Sequence, residues 1–266
     1  MRITKATINI FLAVLGLAAV MLAIPVVNIQ ASGIAVNARN FPDTRFRNYV
    51  SDFVDTDASG TLSKAEIQKV KSMYLSSDQK EKTVKNLKGI QYFTNLEILD
   101  CQQSRLTRLD VSKNKKLKTL NCDSNKLKKL DLTKNTKLEE LSCCKNNLTQ
   151  LNVSKNQELK TLNCGWNKLK TLNVGKNTKL ANLYCYSNEL SRLDVSKNKK
   201  LAVLSCYSNR LKKLDVSKNK ELEKLYCYLN KLKKLDLSRN RQLSYLSCDE
   251  KVQVRGYNGT IATGDY

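Results

Sequence analysis

The sequence predicts an α/β solenoid. A parallel β-sheet lines its concave face, turns or short 3-10 pieces form its convex side, and a small helical cap closes its N-terminal end. Three observations predict it. Leucine recurs every 21 residues without insertion, at Leu96, Leu117, Leu138, Leu159, Leu180, Leu201, Leu222 and Leu243. A fixed period of this length is the mark of stacked coils. Cysteine keeps one place in every copy, at Cys101, Cys122, Cys143, Cys164, Cys185, Cys206, Cys227 and Cys248. Ahead of the repeats, an acidic loop with one glycine sits between two amphipathic stretches.

Residues 1–31 read as a secretory signal peptide. Arg2 and Lys5 precede an uncharged apolar run from Ile10 to Val27, then small residues. Cleavage is expected after Ala31. The run is long for a signal, and an uncleaved anchor is the alternative reading.

Residues 32–95 read as the helical cap and an entry coil. Asp55, Asp57, Ser59, Thr61 and Glu66 fall at loop positions 1, 3, 5, 7 and 12 of a twelve-residue calcium-binding pattern, with Gly60 at the sharp turn. Phe46, Tyr49, Val50 and Phe53 give the entering helix a buried face. The exit helix is expected over 62–73, with Ser63 as N-cap and Glu66 three residues on. A structural Ca2+ is the expected occupant, and a metal-free relic loop is the alternative. Leu87, Ile90 and Phe93 then come into phase with Leu96.

Residues 96–248 hold eight copies, the last partial, of L-x-x-L-x-C-x-x-N-x-L-x-x-L-(D/N)-(V/L)-(S/T/G)-(K/R)-N-x-x. Alternation in segments such as Thr119 to Asp123 gives a short strand with one buried face. The Asp-Val-Ser-Lys-Asn stretch is turn chemistry. No coil buries its apolar face alone, so stability is a nearest-neighbour sum. The cysteine column points to the core. Stacked parallel strands hold these side chains near the strand spacing of about 4.8 Å, wider than a disulfide wants. A straight row also does not converge on a metal. Free thiols serving as small, polarizable packing residues are therefore expected. Cys144, beside the column, is expected to face out of the concave side, either as a reactive thiol or as an accidental surface cysteine. Residues 249–266 read as one or two cap strands covering the last sheet edge.

The motif L-x-x-L-x-(L/C)-x-x-N-x-L is that of the leucine-rich repeat. The 21-residue period with cysteine in the strand resembles the internalins of bacteria, in particular their cysteine-ladder members. The acidic loop resembles the EF-hand-like N-terminal caps of secreted leucine-rich-repeat proteins. Ser104 stands in the first copy where later copies have Asn, and the last copy dissolves after Cys248. The resemblance implies a curved horseshoe and a binding role. No wall-sorting motif ends the sequence, so a secreted, extracellular protein of a Gram-positive-type bacterium is expected, released or held non-covalently at the cell surface.

Strand positions 3, 5, 7 and 8 should line the concave face. In the first copies they are polar: Asp100, Gln102, Gln103, Thr119, Asn121, Asp123, Glu140 and Ser142. Further along, Trp166, Tyr184, Tyr186, Tyr207, Tyr226, Tyr228 and Tyr245 gather there. Trp and Tyr are rigid and amphipathic, typical of binding hot spots, so these seven are the expected ligand-binding residues for an extracellular protein or carbohydrate. The competing reading is that tyrosine favours strands and stacks on its neighbour.

Lys plus Arg number 47 against 24 Asp plus Glu, a net charge of +23. Position 18 of each full copy is basic: Lys113, Lys134, Lys155, Lys176, Lys197, Lys218 and Arg239. Asp or Asn at position 15 is expected to relieve part of that repulsion. Anionic cell-wall polymers are the expected partners of this surface if it binds, and nucleic acid is set aside for a secreted protein. An envelope protein retained by its basic convex side is the alternative function. There is no histidine, Gly-rich phosphate loop or G-x-S-x-G. With no usual general base or water-excluding pocket, an enzyme is not expected.

Overall fold

The computed structural model describes residues 33–75 and 83–262. The expected signal segment lies outside them, and among the described residues no helix is long and apolar enough to cross a membrane.

The cap opens with β1 (Ile34–Ala35), which pairs antiparallel with β2 (Thr61–Leu62). Between them runs α1 (Thr44–Phe53), started by Asp43, whose carboxylate accepts from the backbone N–H groups of Arg45 and Phe46. Phe46 and Val50 are buried. Phe53 is not, as expected, part of that face: it is 71% exposed and meets only Tyr49, at a ring-centroid distance of 5.1 Å. The exit helix α2 is shorter than its sequence suggests. It spans Lys64–Lys69, and Val70 is already extended at ψ 105°. The chain then forms β3 (Ser72–Tyr74), with Met73 buried and its neighbours turned outward. Met73 pairs with Leu99, so the solenoid sheet starts inside the cap. A 3-10 turn follows at Ile90–Tyr92.

Each coil then contributes one three-residue strand. These are β4 (Ile98–Asp100), β5 (Thr119–Asn121), β6 (Glu140–Ser142), β7 (Thr161–Asn163), β8 (Asn182–Tyr184), β9 (Val203–Ser205) and β10 (Lys224–Tyr226), with β12 (Tyr245–Ser247) after β11. They pair parallel in sequence order with a register of 21 residues. β14 (Ile261–Ala262) adds to β12 and ends a ten-stranded sheet. On the opposite side β11 (Lys234–Asp236) pairs with β13 (Gln253–Arg255). The C-terminal segment thus contributes one strand to each sheet. The 3-10 turn of the entry coil is not repeated; the described repeats use hydrogen-bonded turns on the convex side.

Two asparagine rows bind coil to coil. At position 9, the Asn167 side chain accepts from the Leu148 backbone N–H at 2.9 Å and donates to the Cys143 and Cys164 carbonyls. Later copies repeat the pattern, whereas Ser104 bonds only the nearby Gln102 carbonyl. At position 19, the Asn177 amide donates to the carbonyls of Val153 and Asn156. Its own oxygen is buried without a protein partner, as in the other six copies. The eight ladder cysteines are 0–1% exposed and unbonded to one another. Burial pushes their thiols up, Cys164 and Cys206 to about 12. They pack as apolar side chains.

Candidate binding face and cap loop

The concave face divides into a polar N-terminal half and an aromatic C-terminal half. In the polar half, position 5 carries Asp100, Asn121, Ser142 and Asn163 on successive coils. The Asp100 carboxylate accepts from the amides of Asn121 and Gln102 at 3.1 and 3.3 Å. Asp123, one column over, accepts from the Ser142 hydroxyl and, at 2.6 Å, from the Cys144 N–H. Burial raises its carboxyl against these bonds. A groove of about 530 Å³ lies on this half. Tyr74 and Tyr184 line it together with Asp100, Thr119, Asn121, Glu140, Ser142, Thr161 and Asn163, and no Lys or Arg does. Tyr74, 59% exposed on β3, escaped the sequence reading because that segment reads as helix.

In the aromatic half, Tyr186, Tyr207 and Tyr228 stack in one column. Ring centroids lie 4.8 and 4.6 Å apart, with planes 9° and 4° from parallel. Tyr226 and Tyr245 meet at 4.9 Å, tilted by 36°. Position 8 is left-handed in seven consecutive copies, with φ from 50° to 54° in side chains as unlike as Gln103, Trp166 and Leu229. Cross-coil bonds such as Trp166 N–H to the Tyr186 carbonyl, 3.0 Å, hold that conformation. Trp166 stands out from the sheet, 54% exposed. The sequence reading treats these seven aromatics as one patch, and the structure divides them: Tyr186, Tyr207 and Tyr228 are committed to a stack, while Tyr184 belongs to the groove.

Cys144 corrects an expectation. It is 6% exposed, not an outward thiol. The Tyr186 hydroxyl reaches back two coils to within 3.5 Å of its sulfur. The path crosses Gly165, where a Cβ would stand 2.7–2.9 Å from the Tyr186 ring. Glycine in this one copy lets the tyrosine lie flat over the cysteine. Burial raises both the Cys144 thiol and the Tyr186 hydroxyl, which removes the low thiol pKa that reactivity needs.

In the cap loop, carboxylate oxygens of Asp55, Asp57 and Glu66 lie within 4.8 Å of one another. This donor set suits a hard cation. Asp55 also accepts from the N–H groups of Ser59 and Gly60. The Ser59 hydroxyl donates to the Thr61 carbonyl at 2.9 Å. Glu66 takes N–H and O–H donors from both Thr56 and Ser63. These bonds, from Ser63 foremost, hold its carboxyl down to about 2. The residues fit Ca2+ by type and convergence, and a bound ion would draw Thr61 and Glu66 away from hydroxyl partners.

Position 15 does not neutralise position 18 by contact. Asp110, Asp131, Asp194, Asp215 and Asp236 each turn an oxygen to the backbone N–H two residues on, at 2.9 Å. Nearby lysines lower these carboxyls only as a lesser cause, after the turn hydrogen bonds.

Several solved structures share this architecture. The chain is similar to the functional domain of InlJ from Listeria monocytogenes, which includes a cysteine ladder: 28% identity over 85% of this chain and 62% of that one, TM-score 0.49. It is similar to the Leptospira interrogans leucine-rich-repeat protein LIC12759, at 25% identity over 74% of this chain and 57% of that one, TM-score 0.64. Internalin C2 from Listeria monocytogenes matches at 19% identity over 84% and 90% of the two chains, TM-score 0.63. The chain therefore spans about 60% of the length of the first two. No protein-family model and no curated protein matches it. The 21-residue register, the asparagine rows and the likeness in fold to the Leptospira protein and internalin C2 define a leucine-rich-repeat solenoid. Internalin C2 shares that fold.

Proposed function

We propose that this is a secreted, non-enzymatic interaction protein that binds an extracellular protein or glycan through its concave face, as an internalin-like module at or near a bacterial surface. The observation that supports it is the groove of about 530 Å³ between Tyr74 and Tyr184. Two tyrosines and Ile98 line it beside hydroxyl, amide and carboxylate groups, with no lysine in a chain of net charge +23. Aromatic faces with nearby polar groups suit sugars and polar peptide side chains. The position differs from the sequence expectation, which favoured the C-terminal tyrosines.

The test is capture from a panel of extracellular glycans and proteins at low and high salt. The wild type would be compared with Tyr74→Ala/Tyr184→Ala and with Tyr226→Ala/Tyr245→Ala. Binding that survives salt, falls at least about tenfold in the groove variant, and is little changed in the other supports the groove; about 1.4 kcal/mol corresponds to tenfold. Binding lost only in the C-terminal variant moves the site there. Binding indifferent to both removes the concave-face reading.

The cap loop belongs to this proposal as a structural Ca2+ site formed by Asp55, Asp57, Ser59, Thr61 and Glu66, stiffening the N-terminal end. Calorimetric titration with Ca2+ should give one site that Asp55→Asn abolishes. No heat, and no rise in melting temperature at millimolar Ca2+, would leave the loop a metal-free cap.

A further inference from the structure

At four places an acid and a base on neighbouring coils close as ion pairs across 21 residues. They are Glu97–Lys118 and Glu139–Lys160 at position 2, Glu158–Lys179 at position 21, and Glu189–Arg210 at position 10. The repeat lattice can thus bring an acid and a base on neighbouring coils into contact. Position 18 never alternates. Its six lysines and one arginine are all exposed, and none takes part in an ion pair among the described residues. The turn makes no demand for a cation there: none of the seven has a positive φ.

Backbone pairing occurs beneath the row at two places. Asn152 and Asn173, three residues before it, form a parallel bridge, and Asp236 pairs with Arg255 in the second sheet. Coils paired there keep strand spacing, and at that spacing of about 4.8 Å seven rungs make a line of charge roughly 30 Å long. A hollow of about 680 Å³ includes Lys218 and Arg239 of the row, and one of about 600 Å³ lies beside it, lined by Ser196 next to Lys197. Lys212 and Lys213 line one, and Lys218, Lys220, Arg239 and Arg255 the other. Asp194, Asp215 and Asp236 share these hollows, each with one oxygen turned to its own backbone.

We infer that this row seats an extended phosphodiester polymer laid along the solenoid axis. A line of like charges left unpaired, beside columns that pair, matches a ligand that is itself a line of charges. Lysine is a compact point charge, whereas arginine's fork grips a carboxylate in two places. One ammonium per rung suits a chain of monoanionic phosphates. This inference is independent of the concave-face reading.

The probe is purified poly(glycerol phosphate), with polygalacturonate of matched length and glycerol phosphate monomer as comparisons. Affinity for the purified protein is measured by fluorescence anisotropy between about 50 and 200 mM salt, a range over which phosphate-dominated binding falls steeply. The row variant is Lys134→Gln/Lys176→Gln/Lys218→Gln. The control, with the same loss of charge, is Lys118→Gln/Lys160→Gln/Lys179→Gln. Both sets are exposed, and thermal unfolding checks each fold. The expected result is a linear fall of log affinity with log salt, flattened by about 2 in the row variant, from roughly 0.7 per single-strand phosphate contact. The row variant should also bind at least about tenfold more weakly, with the control within about twofold. Equal weakening by both triples would reduce the effect to net charge and overturn the proposal. So would polygalacturonate binding as tightly, or monomer competing as well as polymer.

Discussion

Cys185 shows at the scale of one residue why the core column is sulfur. It is fully buried between the cysteines of adjacent coils and raised far out of the titrating range by burial. Cys185→Ser exchanges a soft apolar atom for a hydroxyl that must find a partner, and about 1–3 kcal/mol of stability should be lost in denaturant titration. Gly165 is the other informative position. Gly165→Ala puts a methyl where the Tyr186 ring lies. The clash should cost about 1–3 kcal/mol and lift the ring off Cys144. Alkylation of the native protein should then label Cys144 selectively, while the ladder thiols stay protected until unfolding. Unchanged protection of Cys144 would show that the coil, not the tyrosine, covers it.

Among elements, the cap loop depends most on a single carboxylate. Glu66 joins Thr56 to Ser63 and completes the capping box of α2. Its folded-state pKa is depressed to about 2 from an ordinary value of 4.5. A depressed carboxyl contributes stability that is fully present above the unfolded value and is lost as pH falls through the folded one. Cap stability should therefore be level at neutral pH and decline between about pH 4.5 and 2. In Glu66→Gln, that part of the pH dependence should vanish, and stability at pH 7 should be lower. Near-ultraviolet circular dichroism reports it, since Phe41, Phe46 and Tyr92 pack together at the cap. An unchanged acid profile in the glutamine variant would assign acid sensitivity to other groups.

For the whole molecule, the strict register is the property that matters. The inner coils present the same amide donors and acceptors to their neighbours, so removal of one complete inner unit leaves matching surfaces. Deletion of 201–221 should give a folded protein with a modest drop in melting temperature. Deletion of 201–211, which breaks the register, should abolish cooperative unfolding. The asparagine rows set the cost of local defects. Asn167→Ala orphans the buried Leu148 N–H and leaves the Cys143 and Cys164 carbonyls with one asparagine donor each, Asn146 and Asn188; the unsatisfied N–H should cost about 1–3 kcal/mol. Ser104→Asn, at the first coil, restores the general residue and should be neutral or stabilising in thermal melts.

The period, the buried face of each strand, the free cysteine ladder and the convergence of Asp55, Asp57 and Glu66 were all legible in the chain. Each follows from local spacing repeated many times, and repetition averages out the ambiguity of any single copy. Other features depended on contacts between coils, which spacing does not encode. Lys71 to Met73 continues a helical pattern, yet Met73 pairs with Leu99 and becomes a strand, putting Tyr74, just past the expected helix, in the lining of the groove. Phe53 lies on the helix face assigned to the core but extends past the small cap it would pack against. Cys144 looks outward in a strand of alternating residues, but a tyrosine from two coils away covers it, because the intervening residue is glycine. Sequence alone determined the solenoid, because identical coils can bury their leucines only by stacking. Tertiary structure alone decided which side chains face open water, because a concave sheet brings residues 42 apart into contact and settles their exposure by packing.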